Sequence, residues 1–252
     1  MTATLTPMRA PRHSALDRTI AMRLAADEYQ RYLHVLQTLD GDGWAQPTDC
    51  PAWTVRDMAG HNLGMAEMVA SIREGVRQQI KTSKRAGIPI DALTALQVEE
   101  RAHLTPQELI ARYAAAGPKA ARGRKRAPAL LRNRTFPEPE VVDGVEERWV
   151  IGFLLDTILT RDTWMHRIDT ARAVGAELVL TPEHDGVIVD DVVREWAERH
   201  GQPCMLRLTG PAGGAWTFGS DGAELELDAI EFCRIVSGRG TGVGLLAHHV
   251  PF

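Results

Sequence analysis

The sequence predicts an all-α four-helix bundle followed by a small α+β domain. Before Gly175, long segments carry apolar residues at helical spacing, and none shows the strict alternation typical of a β-strand. After Gly175, short alternating segments lie between two further helical segments. Because amphipathic helices bury their apolar faces against one another, we predict a bundle over residues 1–177 and a second domain over residues 178–252.

Composition limits the class of protein. The chain has 252 residues and is 25% charged, an ordinary globular composition with room for one large or two smaller cores. A formal net charge of −4 argues against a general affinity for nucleic acid or anionic membranes. No run of about 18 apolar residues predicts a membrane span, and residues 1–18 lack a signal-peptide core. We expect a cytoplasmic protein without nucleic-acid or membrane partners.

Three cysteines, Cys50, Cys204 and Cys233, are odd in number and widely spaced. This spacing argues against a disulfide framework or a cysteine zinc site, and it is typical of a reducing compartment. Cys50 precedes a proline and has no neighbouring base in the sequence. We therefore interpret it as a packing residue rather than a nucleophile.

The first two helices have recognisable starts. Apolar periodicity predicts a helix over residues 14–40, with Ser14 as its N-cap. After a loop rich in Gly, Pro and Asp, the pattern predicts a second helix over residues 54–80. Thr54 is a favourable N-cap, and Asp57, three residues later, completes a capping box.

The remaining bundle segments follow the same logic. A shorter helix is predicted over residues 91–105, and the next begins with Thr105 as N-cap and Pro106 at the first helical position. Three prolines make residues 127–145 irregular. A wide apolar stripe predicts the last bundle helix over residues 146–174.

The second domain mixes helices and strands. A capped helix is predicted over residues 181–201, followed by strands in residues 203–210 and 215–220. Residues 223–228 alternate between apolar and polar side chains and predict another strand. A closing helix is predicted over residues 228–238. This order of elements is typical of a small α+β unit.

The stretch TRDTWMHRIDTAR presents Asp162 and His166 four residues apart on a helix, hence on one face. They are either a surface ion pair or two ligands of a metal centre. Their neighbours Trp164 and Met165 favour a partly inward position, where an unpaired polar group is costly. Zinc enzymes usually supply three protein ligands. His61, among apolar residues of the second helix, is either the third ligand or a core histidine.

Two motifs carry a family resemblance. WAQPTDCPAWTVRDMAGHNLGM resembles the motif W-x-x-P-T-x-C-P-x-W-T-V-x-D-x-x-x-H of the DinB-like superfamily, closest to the N-terminal domain of mycothiol-dependent maleylpyruvate isomerases. RDTWMHRIDTARAVG resembles the last bundle helix of that group. AWTFGSDGAELELDAIEFCRIVSGRG is similar to its small C-terminal domain, which is related to sterol carrier proteins. The resemblance spans nearly the whole chain.

The resemblance implies a divalent metal, usually zinc, bound by a histidine of the second helix and a Glu-x-x-x-His pair of the last. In this chain the implied ligands are His61, Asp162 and His166, with Asp162 in place of the family's glutamate. Aspartate is one methylene shorter but still provides an oxygen ligand. The resemblance also implies mycothiol as thiol co-substrate and a small electrophilic substrate, which is isomerised or receives the thiol.

Other functions stay open beside this one. A non-catalytic metal- or small-molecule-binding protein on the same fold is the main alternative. A carrier of apolar ligands in the C-terminal domain and a nucleic-acid binder are further ones. The sequence predicts neither the oligomeric state nor the choice between isomerase and transferase.

Several polar residues have two interpretations. Asp169 either holds the imidazole of His166 or pairs with Arg167 or Arg172 on the surface. Arg101 either contacts a carboxylate of the substrate or thiol, or is a solvated helix arginine.

Two segments have unusual compositions. Residues 117–134 contain seven basic residues and no acidic one, which suits a solvated helix end, an electrostatic attraction for an acidic substrate, or a nucleic-acid patch. Residues 237–244 are glycine-rich but lack the Lys-Ser/Thr of a phosphate-binding loop. We interpret them as a loop after the last helix.

Overall fold

The computed structural model describes residues 10–252. Residues 1–9, part of the N-terminal segment in which no signal peptide is predicted, lie outside the described residues. Within residues 10–252, no helix combines the length and the apolar character that crossing a membrane requires.

The predicted bundle is confirmed. The helices of this part are α1 (Arg18–Thr38), α2 (Val55–Ala70), α3 (Ile72–Thr82), α4 (Pro89–Arg101), α5 (Pro106–Arg126), α6 (Ala129–Arg132), α7 (Ile151–Phe153) and α8 (Leu159–Val174). A π-helical turn, Leu154–Ile158, joins α7 to α8. Helices α1, α2, α5 and α8 pack against one another, and α3 and α4 cover the outer side of α2. Helix α2 therefore lies at the centre of this part.

The second predicted helix is in fact two. Thr54 and Asp57 form the expected capping box at the start of α2. At Ser71, however, the backbone turns to an extended conformation, and the Ser71 hydroxyl accepts a hydrogen bond from the backbone of Glu74 at the start of α3. Serine competes with the helical backbone for hydrogen bonds, so an apolar pattern that continues through it can conceal a break.

The first helix begins later than predicted. Asp17, not Ser14, is its N-cap, because the Asp17 carboxylate accepts from the backbone N–H groups of Thr19 and Ile20. Ser14 instead accepts from the N–H of Leu16. Aspartate and serine are similarly good caps, and the apolar pattern did not separate them.

Two other predicted helix ends are confirmed, but α4 spans Pro89–Arg101 rather than residues 91–105, because proline is tolerated in the first turn of a helix. Thr105 caps α5 through a second capping box, with Pro106 at the first helical position. Gly175 ends α8 in the left-handed conformation, with φ 64°. Glycine adopts this conformation without the cost that a β-carbon imposes.

The expectation that the bundle part contains no strand is wrong. β1 (Glu140–Val142) and β2 (Val145–Glu147) form an antiparallel hairpin. Its turn residues Asp143 and Gly144 both have positive φ, as an Asp-Gly hairpin turn requires. Because residues 140–147 form this hairpin, the last bundle helix begins at Ile151 rather than at residue 146.

The C-terminal part is the predicted small α+β unit. Its elements are a π-helical turn (Pro182–Gly186), α9 (Val187–His200), β3 (Cys204–Thr209), β4 (Gly214–Phe218), β5 (Ala223–Asp228) and α10 (Ala229–Val236). The sheet order is β4-β3-β5, with β3 antiparallel to β4 and parallel to β5. Trp164 and Ile168 of α8 share one buried core with Trp196 and Phe232 of this part. The division after residue 177 stays a prediction.

Candidate metal centre

Helices α2 and α8 bring three polar side chains together. His61 Nε2 lies 3.5 Å from Asp162 Oδ2, and His166 Nε2 lies 3.3 Å from Asp162 Oδ1. The three groups offer ligand atoms within 4.8 Å of one another. His61 is 2% exposed and His166 5% exposed, so these side chains face the interior rather than the helix surface.

The carboxylate of Asp162 gives the site its charge. Burial favours the neutral acid, but His166 and His61 outweigh it and hold the pKa of Asp162 well below its usual range. Burial also opposes protonation of His166, yet Asp162 raises the pKa of this histidine overall. Oδ2 of Asp162 is buried and has no hydrogen-bond partner among residues 10–252. The arrangement therefore favours a positive charge between the three side chains.

Asp169 contacts the ring of His166. This is the first of the two interpretations of Asp169 given above; the other was a surface ion pair. Asp169 is fully buried, and its Oδ2 lies 3.2 Å from His166 Nδ1. Arg239, in the loop after α10, donates to both oxygens of Asp169 at 2.9 Å. Arg167 and Arg172, the alternative partners, pair with other carboxylates. The C-terminal part thus reaches the candidate centre through one guanidinium.

A second set of ligand atoms shares His166. Cys50, His166 and Asp169 also offer atoms within 4.8 Å of one another. The Arg239 guanidinium already faces this set, 3.9 Å from Cys50 Sγ and 3.5 Å from His166 Nδ1. Burial raises the pKa of Cys50 to about 11, which Arg239 only partly offsets. Because a guanidinium beside these atoms repels a cation, the set with His61 suits a metal better.

His61 contacts a buried glutamine through one ring nitrogen, and a tryptophan ring packs against its imidazole. Its Nδ1 lies 2.9 Å from Oε1 of Gln97, a fully buried residue of α4. The ring of Trp53, in the loop before α2, has its centroid 5.0 Å from that of His61 and 5.8 Å from that of His166. Trp53 therefore packs over both imidazoles.

Sequence reasoning missed three neighbours of the centre. Gln97 had a usable signal, because it falls on the apolar face of α4 beside Leu93 and Leu96, and a polar residue on such a face points to a specific partner. Cys50 was interpreted only as packing. Arg239 lies in a glycine-rich loop that carries no local signal for a contact with Asp169.

Arg101 does not lie at this centre. It is 3% exposed, so it is not a solvated arginine, and it pairs with Glu67 and donates to the backbone oxygen of Gln97. It lines a separate cavity of about 580 Å³ among α2, α3, α4 and α5. A contact of Arg101 with a substrate stays a prediction.

The basic segment 117–134 is not a uniform surface patch. Arg124 is buried and donates to the Leu155 oxygen and the Thr160 hydroxyl. Arg132 pairs with Asp156. These two residues hold the end of α5 and the segment after it against the start of the last bundle helix.

Comparisons with known proteins agree with this fold. A family model described as the mycothiol maleylpyruvate isomerase N-terminal domain matches residues 25–171. The uncharacterized proteins MT0041 and Rv0036c, from two strains of Mycobacterium tuberculosis, are each 28% identical over 220 residues, covering 80% of this chain and 78% of the relative.

Two crystal structures of mycothiol-dependent maleylpyruvate isomerase, one of a mutant, match with a TM-score of 0.53 at 15% identity. Each match covers 90% of this chain and 91% of the other, and at this identity it shows a shared fold. The family model spans more than half of this chain, including His61, Asp162 and His166. The resemblance predicted from the two motifs is confirmed, and the chain belongs to the family of the mycothiol maleylpyruvate isomerase N-terminal domain.

Proposed function

We propose that this protein is a metal-dependent enzyme that uses mycothiol, or a closely similar small thiol, to isomerise or to thiolate a small electrophilic substrate. The observation that carries the proposal is the convergence of the buried His61 and His166 on the carboxylate of Asp162. Membership of a family named for a mycothiol-dependent isomerase supports the choice of thiol. Because one fold can host several functions, the proposal rests on the side chains of the site as well as on the fold.

The residues present fit a divalent metal, with zinc as the first choice. Two imidazole nitrogens and one carboxylate are a ligand set of zinc enzymes that keep an open position. The buried Oδ2 of Asp162, which has no hydrogen-bond partner in the described part of the chain, is an atom that a cation would satisfy. Aspartate in place of glutamate retains this oxygen.

The chain's own residues prepare the site. A divalent ion held by His61, Asp162 and His166 supplies Lewis-acid stabilisation of a thiolate. Asp169 orients the ring of His166, and Arg239 compensates the buried charge of Asp169. Trp53 packs over both histidine rings.

The two proposed reactions share a first step. The thiol loses its proton, and its sulfur then forms a C–S bond to one carbon of a double bond conjugated to an electron-withdrawing group, which accepts the π electron pair. In isomerisation the resulting single bond rotates, the π pair returns to reform the double bond, and the thiolate leaves with the electrons of the C–S bond. In thiol transfer the displaced pair takes up a proton instead and the C–S bond persists, so the product identifies the reaction.

Metal content tests the proposal. We expect about one zinc per chain after dialysis of untagged wild-type protein, and none in His166→Ala. His34→Ala, which removes an exposed histidine of α1, should keep the metal. Wild-type protein that binds no zinc, even after zinc is added before dialysis, contradicts the metal centre.

Activity then separates the enzyme from its alternative. Zinc-loaded wild-type protein is assayed with maleylpyruvate in the presence and absence of mycothiol, following both isomerisation and loss of free thiol. Turnover that requires the thiol and disappears in His166→Ala supports the enzyme. Full zinc content without thiol-dependent turnover of maleylpyruvate or other electrophiles favours a non-catalytic metal-binding protein.

A further inference from the structure

A chain of buried amides lies behind His61. The Gln78 side-chain nitrogen donates to the backbone oxygen of Gly64 at 3.1 Å. The Gln97 nitrogen donates to Gln78 Oε1 at 2.9 Å, and Gln97 Oε1 lies 2.9 Å from His61 Nδ1. Both glutamines are fully buried.

The backbone oxygen of Gly64 determines how the two glutamine amides of this hydrogen-bonded series are oriented. A carbonyl oxygen only accepts, so the Gln78 atom that faces it is the amide nitrogen, and Gln78 Oε1 must face Gln97. Gln97 consequently turns its nitrogen to Gln78 and its oxygen to His61. Glu74 Oε1, 2.9 Å from the Gln78 nitrogen, is another acceptor and requires the same orientation.

The orientation of the Gln97 amide determines which ring nitrogen of His61 carries the proton. An amide oxygen can only accept, so Nδ1 must be the protonated nitrogen, and the lone pair of the neutral ring lies on Nε2. On the other side, the anionic Asp162 favours a proton on Nε2. A ring protonated at Nε2 could donate to Asp162 but could not bind a metal through that atom.

We propose that Gln97 is a positioning residue that keeps His61 in the Nδ1–H tautomer against the attraction of Asp162, so that Nε2 is available as a ligand. The metal part of this inference rests on the function proposed above, whereas the tautomer is a property of the metal-free chain. His166 instead has a carboxylate, that of Asp169, at its own Nδ1. Metal-binding histidines commonly donate their second ring nitrogen in this way.

Nitrogen-15 NMR of histidine-labelled, metal-free protein at alkaline pH tests the tautomer. We expect Nδ1–H at His61 in wild type and Nε2–H in Gln97→Met, which has a similar volume but no oxygen acceptor. His166 should show the same tautomer in both proteins, because its contacts with Asp169 and Arg239 are unchanged. A His61 that stays Nδ1–H in Gln97→Met overturns the inference.

Zinc affinity provides the second measurement, by competition with a chromophoric chelator. Gln97→Met should weaken zinc binding about 10- to 100-fold. Gln79→Met, at an exposed position of α3, is the matched control and should change neither tautomer nor affinity. If Gln97→Met does not fold, Gln78→Met tests the same chain, because it frees the Gln97 amide to turn and should give a mixture of His61 tautomers.

The outcomes separate this inference from the proposed function. Wild-type protein that binds zinc, with Gln97→Met binding equally well, overturns the role of Gln97 and leaves the metal centre standing. Wild-type protein that binds no zinc contradicts the metal centre, and the tautomer measurement alone then decides the role of Gln97.

Discussion

At the scale of single residues, the two candidate histidine ligands differ in the side chain that contacts their Nδ1 atom. His61 contacts the neutral amide of Gln97, whereas His166 contacts the carboxylate of Asp169. A second buried carboxylate beside the ring is costly unless a cation compensates it, and Arg239 does so. The glutamine requires no such compensation, so only the His166 side of the centre depends on the C-terminal part.

Glu100 provides a pH test away from the centre. Hydrogen bonds from Arg77 lower the pKa of Glu100 to about 2. Because the folded-state pKa is lowered, the pair stabilises the protein above the usual glutamate pKa, and this stabilisation is lost as pH falls towards 2. We expect Glu100→Gln to cost less than about 1 kcal/mol at neutral pH, and progressively less at acidic pH, in urea unfolding.

Glu99→Gln is the control for this test. Its side chain is 61% exposed and pairs with Arg85, so the change in unfolding free energy should be smaller at every pH. A cost of Glu100→Gln that stays constant between neutral and strongly acidic pH contradicts the ion pair with Arg77.

At the scale of elements, α2 approaches α4 closely enough that one glycine is required and another is not. A β-carbon at Gly64 would lie 2.5 Å from Cγ and 2.7 Å from Cβ of Gln97, inside the contact distance. At Gly60 the nearest side-chain atom, Cβ of Arg101, would lie at an ordinary 3.5 Å. Gly64 therefore makes the room in which Gln97 reaches His61.

This difference predicts opposite effects of the same substitution on one helix. Gly64→Ala should lower the free energy of unfolding by about 1–3 kcal/mol, because Gln97 must move within a packed core. Gly60→Ala should raise it by about 0.5–1 kcal/mol through better helix propensity. Urea unfolding measures both, and equal stabilities of the two variants would contradict the packing described here.

At the scale of the whole molecule, a buried ion cluster ties three segments together. Arg167 of α8 donates to Glu28 of α1 at 2.7 Å and to Asp185 of the π-helical turn before α9 at 2.6 Å. All three residues are at most 2% exposed. The bundle and the C-terminal part therefore share charge pairs as well as an apolar core.

Removal of the Arg167 side chain from this cluster should strongly destabilise the folded protein. We expect Arg167→Ala to lower the free energy of unfolding by about 3–5 kcal/mol, because two buried carboxylates lose the guanidinium that they share. Arg194→Ala, which breaks the exposed pair with Asp190, should cost less than about 1 kcal/mol. Chemical unfolding compares the two, and similar losses would show that the buried cluster is not important for stability.

Local features of this protein were largely predictable from the sequence. The capping box at Thr54, the N-cap at Thr105 and the stop at Gly175 are predictable because their partners lie within a few residues. The break at Ser71 and the hairpin turn at Asp143 are equally local, but a helical pattern that continues past Ser71 and the prolines that precede the hairpin mask these signals. The four-helix bundle and the α+β unit followed from periodicity alone.

The sequence by itself therefore determined the fold class, the helix ends that carry clear caps and, through two motifs, the family. Only the tertiary structure decided that His61 meets Asp162 and His166, that Gln97 stands behind His61, and that Arg239 reaches the same place. The physical reason is that a cap or a turn is satisfied by neighbouring residues, whereas these contacts join distant parts of the chain. Which distant polar groups meet depends on which helix faces pack together, and the apolar stripe of one helix does not specify its partner.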